Sequence, residues 1–66
     1  MAVVKVIEVI AESPDGWEKA AQLGVAEASK TVRNIKAAYV HEMQAKVQGD
    51  KIATYRVNLK ISFLVE

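Results

Sequence analysis

The sequence contains no cysteine and only one histidine, so neither a disulfide nor an ordinary zinc site is available to hold the fold together. A chain of 66 residues has little interior, although 52% of its residues are hydrophobic. Domains of this size bury only about 60% of the surface that the unfolded chain exposes. Small domains without covalent or metal cross-links commonly gain the missing burial by association. We therefore expect the chain to form a homo-oligomer.

The sequence also lacks an excess of one charge and lacks long apolar runs. Nine basic and eight acidic residues give a formal net charge of +1, so no electrostatic footprint for nucleic acid or an anionic membrane is present. No apolar run approaches the roughly 20 residues that span a bilayer, and the N-terminus lacks the features of a signal peptide. These observations predict a soluble cytoplasmic protein with a single domain over residues 1–66, and neither nucleic acid nor membrane as a partner.

Motifs that support catalysis are missing as well. Ser13 and Ser29 have no nearby histidine or acid in a pattern that would activate a nucleophile, and no glycine-rich loop is present to bind a phosphate. No paired carboxylates indicate acid–base chemistry. The sequence therefore predicts a protein that is not an enzyme.

The clearest structural pattern lies in residues 54–65, where apolar and polar side chains alternate. The apolar set is Tyr55, Val57, Leu59, Ile61, Phe63 and Val65. Alternation with a period of two is typical of a strand that buries one face. Residues 2–11 are rich in valine and isoleucine and predict another strand, which ends before a turn-like segment at Ser13 and Pro14.

A helix is predicted from about Pro14 to Arg33, with Ser13 as its N-cap and Pro14 as its first residue. Its apolar residues recur at spacings of three and four, and most of them are alanine or glycine. Such a stripe lets the helix approach a sheet closely. Trp17 is expected to pack near the beginning of the helix, and Asn34 to mark its end.

Residues 36–47 contain good helix formers, but their alternation favours a strand. We expect its inward side to comprise Ala37, Tyr39, Met43, Ala45 and Val47, with His41 as the polar exception. Residues 48–51 then form a hairpin turn in which Gly49 can adopt a positive φ. The predicted class is α+β in the order β-α-β-β, with a three-stranded antiparallel sheet wrapped around one helix.

Three segments carry a family resemblance: KVIEVIAESPDGWEKAA, the helix ending TVRNI, and ATYRVNLKISF in the last strand. With these segments, and over nearly its full length, the chain resembles the dodecins. The resemblance implies a hollow, spherical homododecamer with 23 symmetry. It also implies the function of the family, which binds and stores flavins such as riboflavin or FMN, without chemistry, in pockets between subunits.

Two positions of this sequence correspond to the flavin-contacting residues of the family. A Trp that stacks on the flavin is matched by Ala37, and a Gln that hydrogen-bonds its polar edge is matched by Arg56. Alanine has no ring to stack, and arginine has no acceptor for the flavin imide. A flavin, another planar or anionic ligand, and cations on symmetry axes therefore remain as alternatives. The candidate axial carboxylates are Glu8, Glu42, Asp50 and Glu66.

Other side chains have both a structural and a functional interpretation. Arg56 can hold an anion or can form an intersubunit ion pair with a residue such as Glu42. His41 is expected to be structural or to lie at an interface. Near a threefold axis, however, three copies would each contribute this residue, so a metal site could be assembled from one ligand per chain. Tyr39 and Tyr55 are expected in the core, and Trp17 is expected to pack rather than to bind flavin. A further alternative is an interaction module that adds an exposed strand edge to a partner.

Overall fold

The structure is a computed structural model that describes residues 2–65. Its elements are β1 (Val3–Ser13), α1 (Trp17–Ala28), β2 (Ile35–Gln48) and β3 (Lys51–Val65). Both β1 and β2 pair with β3 in the antiparallel sense, so the strand order is β1-β3-β2. The predicted β-α-β-β order and the single antiparallel sheet are confirmed. Among residues 2–65, no helix has the length and apolar character needed to cross a membrane.

The central strand β3 supplies most of the core, as its alternation predicts. Val57, Leu59 and Ile61 are the largest fully buried side chains of the described chain. They face α1, whose Ala20 and Ala28 are also buried. Because β3 has a strand on each side and the helix above its middle, these three side chains are excluded from water, whereas Val65 at the end of the strand is exposed.

The helix begins later than predicted, and the predicted N-cap is wrong. Ser13 is the last residue of β1, and its Oγ accepts a hydrogen bond of 3.0 Å from the backbone N–H of Asp15. Pro14 thus lies in a turn of the type that serine hydroxyls stabilise. Gly16 is the N-cap instead, with φ 131° and ψ 168°, a region that is essentially restricted to glycine.

The helix also ends five residues earlier than predicted, at Ala28. The N–H groups of Thr31 and Val32 both donate to the carbonyl oxygen of Ala28, at 3.1 and 2.9 Å, and so close the last turn. Asn34 then takes a positive φ of 63° and redirects the chain into β2. The prediction extended past Ala28 because apolar residues continue at helical spacing through Val32 to Ile35, whereas Ile35 packs against the core from β2.

The predicted inward side of β2 is correct in its second half and wrong in its first half. Met43 and Ala45 pair with Val57 and Tyr55, on the side that faces α1. Tyr39 instead pairs with Lys60 on the opposite face and is 64% exposed. The register shifts between Val40 and Glu42, so His41 is an extra residue in the strand. A bulge of one residue inverts the alternation, which moves Tyr39 and Ala37 to the other face.

At Gly24, α1 approaches the sheet so closely that there is no room for a side chain. A Cβ atom at this position would lie 2.6 Å from Leu59 Cδ1 and 3.3 Å from the Ala11 Cβ. Leu59 is fully buried, so its side chain cannot move aside without disturbing the core. The small-residue stripe in the sequence thus corresponds to a real close contact.

Gly24→Ala is therefore expected to lower the free energy of unfolding by about 1–3 kcal/mol through overpacking, although alanine is the better helix former. Urea unfolding followed by circular dichroism at a fixed protein concentration would measure the change. The control is Glu27→Ala, which removes only an exposed ion pair with Lys30. Equal stability of Gly24→Ala and the wild type would contradict the close approach.

Candidate functional site

The side of the sheet that faces away from α1, here called the helix-distal face, carries the sequence-predicted site residues. Its cross-strand register sets these side chains in rows. The successive rows are Val6–Ser62–Ala37, Glu8–Lys60–Tyr39, Ile10–Asn58–Glu42 and Glu12–Arg56–Gln44. Val6, Ile10 and Tyr39 on this face are each more than half exposed. The face therefore mixes large apolar side chains with pairs of opposite charge.

Arg56 is engaged within its own chain. Its Nε donates to Glu12 Oε2 at 2.7 Å, and its Nη2 contacts the same oxygen. Lys46 Nζ lies 3.8 Å from that oxygen. Within the same chain, Glu42 Oε1 accepts a hydrogen bond from Asn58 Nδ2 at 2.9 Å, and an ion pair between Arg56 and Glu42 of another copy stays a prediction. The antiparallel register places Glu12 directly opposite Arg56, and cross-strand pairs of opposite charge are favourable.

The hydrogen bond from Arg56 lowers the pKa of Glu12 below its usual value, against the opposing effect of partial burial. Because the pKa is lower in the folded state, this pair stabilises the fold above the usual glutamate pKa. This contribution to stability is lost as the pH falls through the pKa of Glu12 in the folded state.

In Arg56→Gln, the pKa of Glu12 is expected to rise towards the ordinary value, as followed by NMR titration of the side-chain carboxyl carbon. Lys46→Gln should cause a smaller rise, and an unchanged pKa in Arg56→Gln would contradict the pairing.

Ala37 and Arg56 lie on the same face but are far apart. Ala37 is opposite Ser62, and Arg56 lies six residues from Ser62 along β3. A strand rises about 3.3 Å per residue, which places the two positions roughly 20 Å apart. One copy of the chain therefore cannot bring both to the same small ligand. A site that uses both positions must take them from two copies.

His41 lies beside a carboxylate on the helix-distal face. Its Nε2 is 3.2 Å from Glu8 Oε2, and its ring lies nearly parallel to that of Tyr39, with ring centroids 6.1 Å apart. Within residues 2–65, no three His, Asp or Glu side chains gather closely enough to hold a metal ion. Asp50 lies in the turn between β2 and β3, and Glu66 lies outside the described residues. A metal site built from three of the His, Asp and Glu side chains within residues 2–65 would therefore need more than one copy.

Trp17 packs at the start of the helix, as expected. Its Nε1 donates to the carbonyl oxygen of Gln44 at 2.9 Å, and its ring meets that of Tyr55 edge-on at 4.8 Å. Tyr55 is on the inward side, as predicted. The indole thus ties the first turn of α1 to the β2–β3 hairpin.

Sequence reasoning missed Glu12 as the partner of Arg56. The two residues are 44 positions apart, and only the register of β1 against β3 places them opposite each other. The available signal was the alternation of the two strands, which assigns Glu12 and Arg56 to the same face. That signal becomes usable only when the pairing of β1 with β3 is known.

The fold defines a class of protein: a small β-α-β-β unit in which one helix packs on a three-stranded antiparallel sheet. The family profile described as Dodecin matches residues 3–66, and the chain belongs to that family. It is 41% identical over 63 residues to the calcium dodecin of Mycobacterium tuberculosis, covering 96% of this chain and 89% of that protein.

Solved structures give the same result. A single-residue variant of the Thermus thermophilus dodecin superposes with a TM-score of 0.95 at 30% identity, covering 100% of this chain and 98% of that one. The dodecin of Streptomyces coelicolor gives 0.94 at 31% identity, covering 98% and 93%. The crystal structure of the M. tuberculosis calcium dodecin, described as having a novel calcium-binding site, gives 0.85 at 39% identity, covering 97% and 91%.

Proposed function

We propose that this chain assembles into a hollow homododecamer that binds small ligands between its copies without catalysis, and that these ligands are Ca²⁺ ions rather than flavin. The observation that carries the proposal is the helix-distal face. It exposes large apolar side chains such as Val6, Ile10 and Tyr39, and it holds both family site positions too far apart for one copy to use. Association of copies would cover the apolar side chains and complete the sites.

The residues present do not fit a flavin. At the position where flavin-binding dodecins have a stacking Trp, this chain has Ala37, which offers only a methyl group. Arg56 has no acceptor for the imide N–H, and its guanidinium is already held by Glu12. Both substitutions lower the affinity for flavin, and symmetry would repeat this loss at every site of the assembly.

The residues do offer hard oxygen ligands. Glu8 and Glu42 lie on the helix-distal face in adjacent rows of the sheet, and the Glu8 side chain is mostly exposed. Calcium takes six to eight oxygen ligands, so carboxylates contributed by several copies would suit it. The name of the M. tuberculosis relative supports the same cation. We rank Glu8 and Glu42 above Asp50, which lies in the hairpin turn.

The second candidate is a planar or anionic ligand in the same intersubunit sites. It is favoured by the exposed ring of Tyr39, which lies two residues from Ala37 on the same face and opposite the exposed Lys60. An aromatic ring beside an amine can hold a planar anion. Titration of riboflavin separates the candidates, because a ligand stacked on Tyr39 would lose fluorescence. Unchanged emission is expected if the cation proposal is correct.

Light scattering tests the assembly first. Twelve chains of 7.2 kDa would give a mass near 86 kDa. A mass near that of one chain would contradict the dodecamer and favour an interaction module that pairs through the open edges of β1 and β2. The measurement requires only the purified wild-type protein.

Calorimetric titration of chelator-treated protein with CaCl₂ tests the ligand. We expect saturable binding, and at least tenfold weaker binding in Glu8→Gln or Glu42→Gln, because each removes one charged oxygen ligand per copy. Glu27→Gln, on the exposed surface of α1, is the matched control. Loss of binding in neither sheet variant would contradict the assignment of these carboxylates, and absence of heat in the wild type would contradict calcium binding itself.

A further inference from the structure

The turn between β1 and α1 contains Asp15, one of the two aspartates of the chain, directly followed by Gly16. Asp15 is exposed, and within residues 2–65 its carboxylate forms no ion pair. Its own backbone N–H donates to Ser13 Oγ at 3.0 Å, which fixes the chain on the N-terminal side of this residue. The carboxyl group can therefore approach the peptide nitrogen that follows it without first giving up a partner in the described chain.

That peptide nitrogen, the backbone N of Gly16, belongs to neither β1 nor α1. Among residues 2–65 its N–H makes no backbone hydrogen bond of ordinary length and angle, whereas the Gly16 carbonyl oxygen accepts one of 3.0 Å from the N–H of Ala20. The first N–H groups of a helix have no partner within the helix. A reaction at the nitrogen of Gly16 therefore costs α1 none of its own hydrogen bonds.

Glycine at position 16 also removes the steric barrier to such a reaction. Its φ of 131° lies in a region that glycine enters readily, and a Cβ atom built there would meet nothing within 4 Å. With no side chain and with open space where one would lie, Gly16 permits both the approach of a carboxyl carbon and the rotation that ring closure needs.

We infer that Asp15 is a site of spontaneous isomerisation to isoaspartate. With the side chain in its acid form, the nitrogen of Gly16 attacks Cγ of Asp15 and a C–N bond forms. One carboxyl oxygen leaves as water with the acid proton and the amide proton, and the product is a cyclic imide. Water then opens the imide at one of its two ring C–N bonds. Cleavage at Cγ restores aspartate, whereas cleavage at the main-chain carbonyl gives isoaspartate, so the mass is unchanged overall.

Isoaspartate lengthens the main chain by one methylene group immediately before α1. Trp17, the first residue of the helix, is tied to the sheet through its Nε1, which donates to the carbonyl oxygen of Gln44 at 2.9 Å. The added methylene shifts the first turn of α1 relative to this contact. Because Trp17 is the only tryptophan of the chain, its fluorescence reports the shift directly.

Incubation of the purified protein in heavy-oxygen water tests the reaction, because each opening of the imide incorporates one solvent oxygen. Asp50 is the internal control: it is also exposed and lies in a turn, but Lys51 follows it and pairs with Gln48 at the start of β3. Trypsin separates the two aspartates into different peptides. We expect the label at Asp15 to exceed that at Asp50 at least about tenfold, because only Asp15 precedes a residue without a Cβ.

A second measurement detects the product itself. A carboxyl methyltransferase that is specific for isoaspartate should transfer methyl groups to the aged protein and not to the fresh one. Asp15→Glu is the matched variant, since it keeps the charge and would have to close a larger ring. It should accept no methyl groups after the same incubation, and its Trp17 fluorescence should stay constant while that of the wild type changes as isoaspartate accumulates.

Two results would overturn the inference. One is equal labelling of Asp15 and Asp50 in the folded protein. The other is labelling of Asp15 only after the chain is unfolded in urea, since the folded turn would then block ring closure. Neither result depends on calcium binding or on the dodecamer, so the inference and the proposed function fail separately.

Discussion

Replacing Ala37 by tryptophan and Arg56 by glutamine in the same chain is expected to create riboflavin binding, seen as quenching of flavin fluorescence. Stacking on an aromatic ring contributes about 0.5–1.5 kcal/mol beyond the area that it buries. Glutamine also supplies the donor and the acceptor that arginine cannot combine. The indole also buries apolar area, so we expect the affinity for riboflavin to be at least tenfold higher than that of the wild type.

The carboxylate of Glu12 affects this double variant. Arg56→Gln removes the main partner of Glu12 and leaves its carboxylate with Lys46 at 3.8 Å. That carboxylate would lie next to the new glutamine, so adding Glu12→Gln should strengthen flavin binding further. Ala37→Leu with Arg56→Gln is the matched control, since leucine supplies apolar bulk without a ring. If the double variant quenches no more than this control, the correspondence of Ala37 to the stacking position is wrong.

Truncation of Leu59 is expected to have the largest effect on stability. Leu59 is fully buried at the centre of β3 and lies under Gly24. A buried Leu→Ala change removes about 2–5 kcal/mol from the free energy of unfolding. Natural domains have only about 0.05–0.15 kcal/mol of stability per residue, so a chain of this length would lose much of its free energy of unfolding.

Urea unfolding of Leu59→Ala at fixed protein concentration measures the loss, with Leu23→Ala as the exposed control. The Gly24 contact permits a sharper test, because the Leu59 Cδ1 atom is the nearest obstacle to a Cβ at position 24. Gly24→Ala should cost less in the Leu59→Ala background than in the wild type. Additive losses would show that the two positions do not share a contact.

Alternation and composition predicted β3 and β1 well because each strand has strong β formers and a simple period. The helix ends were predicted less well. Ser13 and Pro14 fit a helix start as well as a turn, and only the pairing of Ser13 with Tyr55 decides for the strand. The same limit applies to the candidate site: alternation assigns Arg56 to a face of the sheet, but only the pairing of β1 with β3 identifies Glu12 as its partner within the chain.

The sequence by itself determined the β-α-β-β order, the buried face of β3 and the small residues of the helix that meet it. These are local properties, set by side-chain size and by the period of hydrophobicity. Only the tertiary structure decided the face of Tyr39 and the separation of Ala37 from Arg56. The physical reason is that the bulge at His41 and the register of the sheet arise from pairing between distant segments. The absence of cross-links in the sequence predicted association, and the structure adds that Val6, Ile10 and Tyr39 are exposed in one copy.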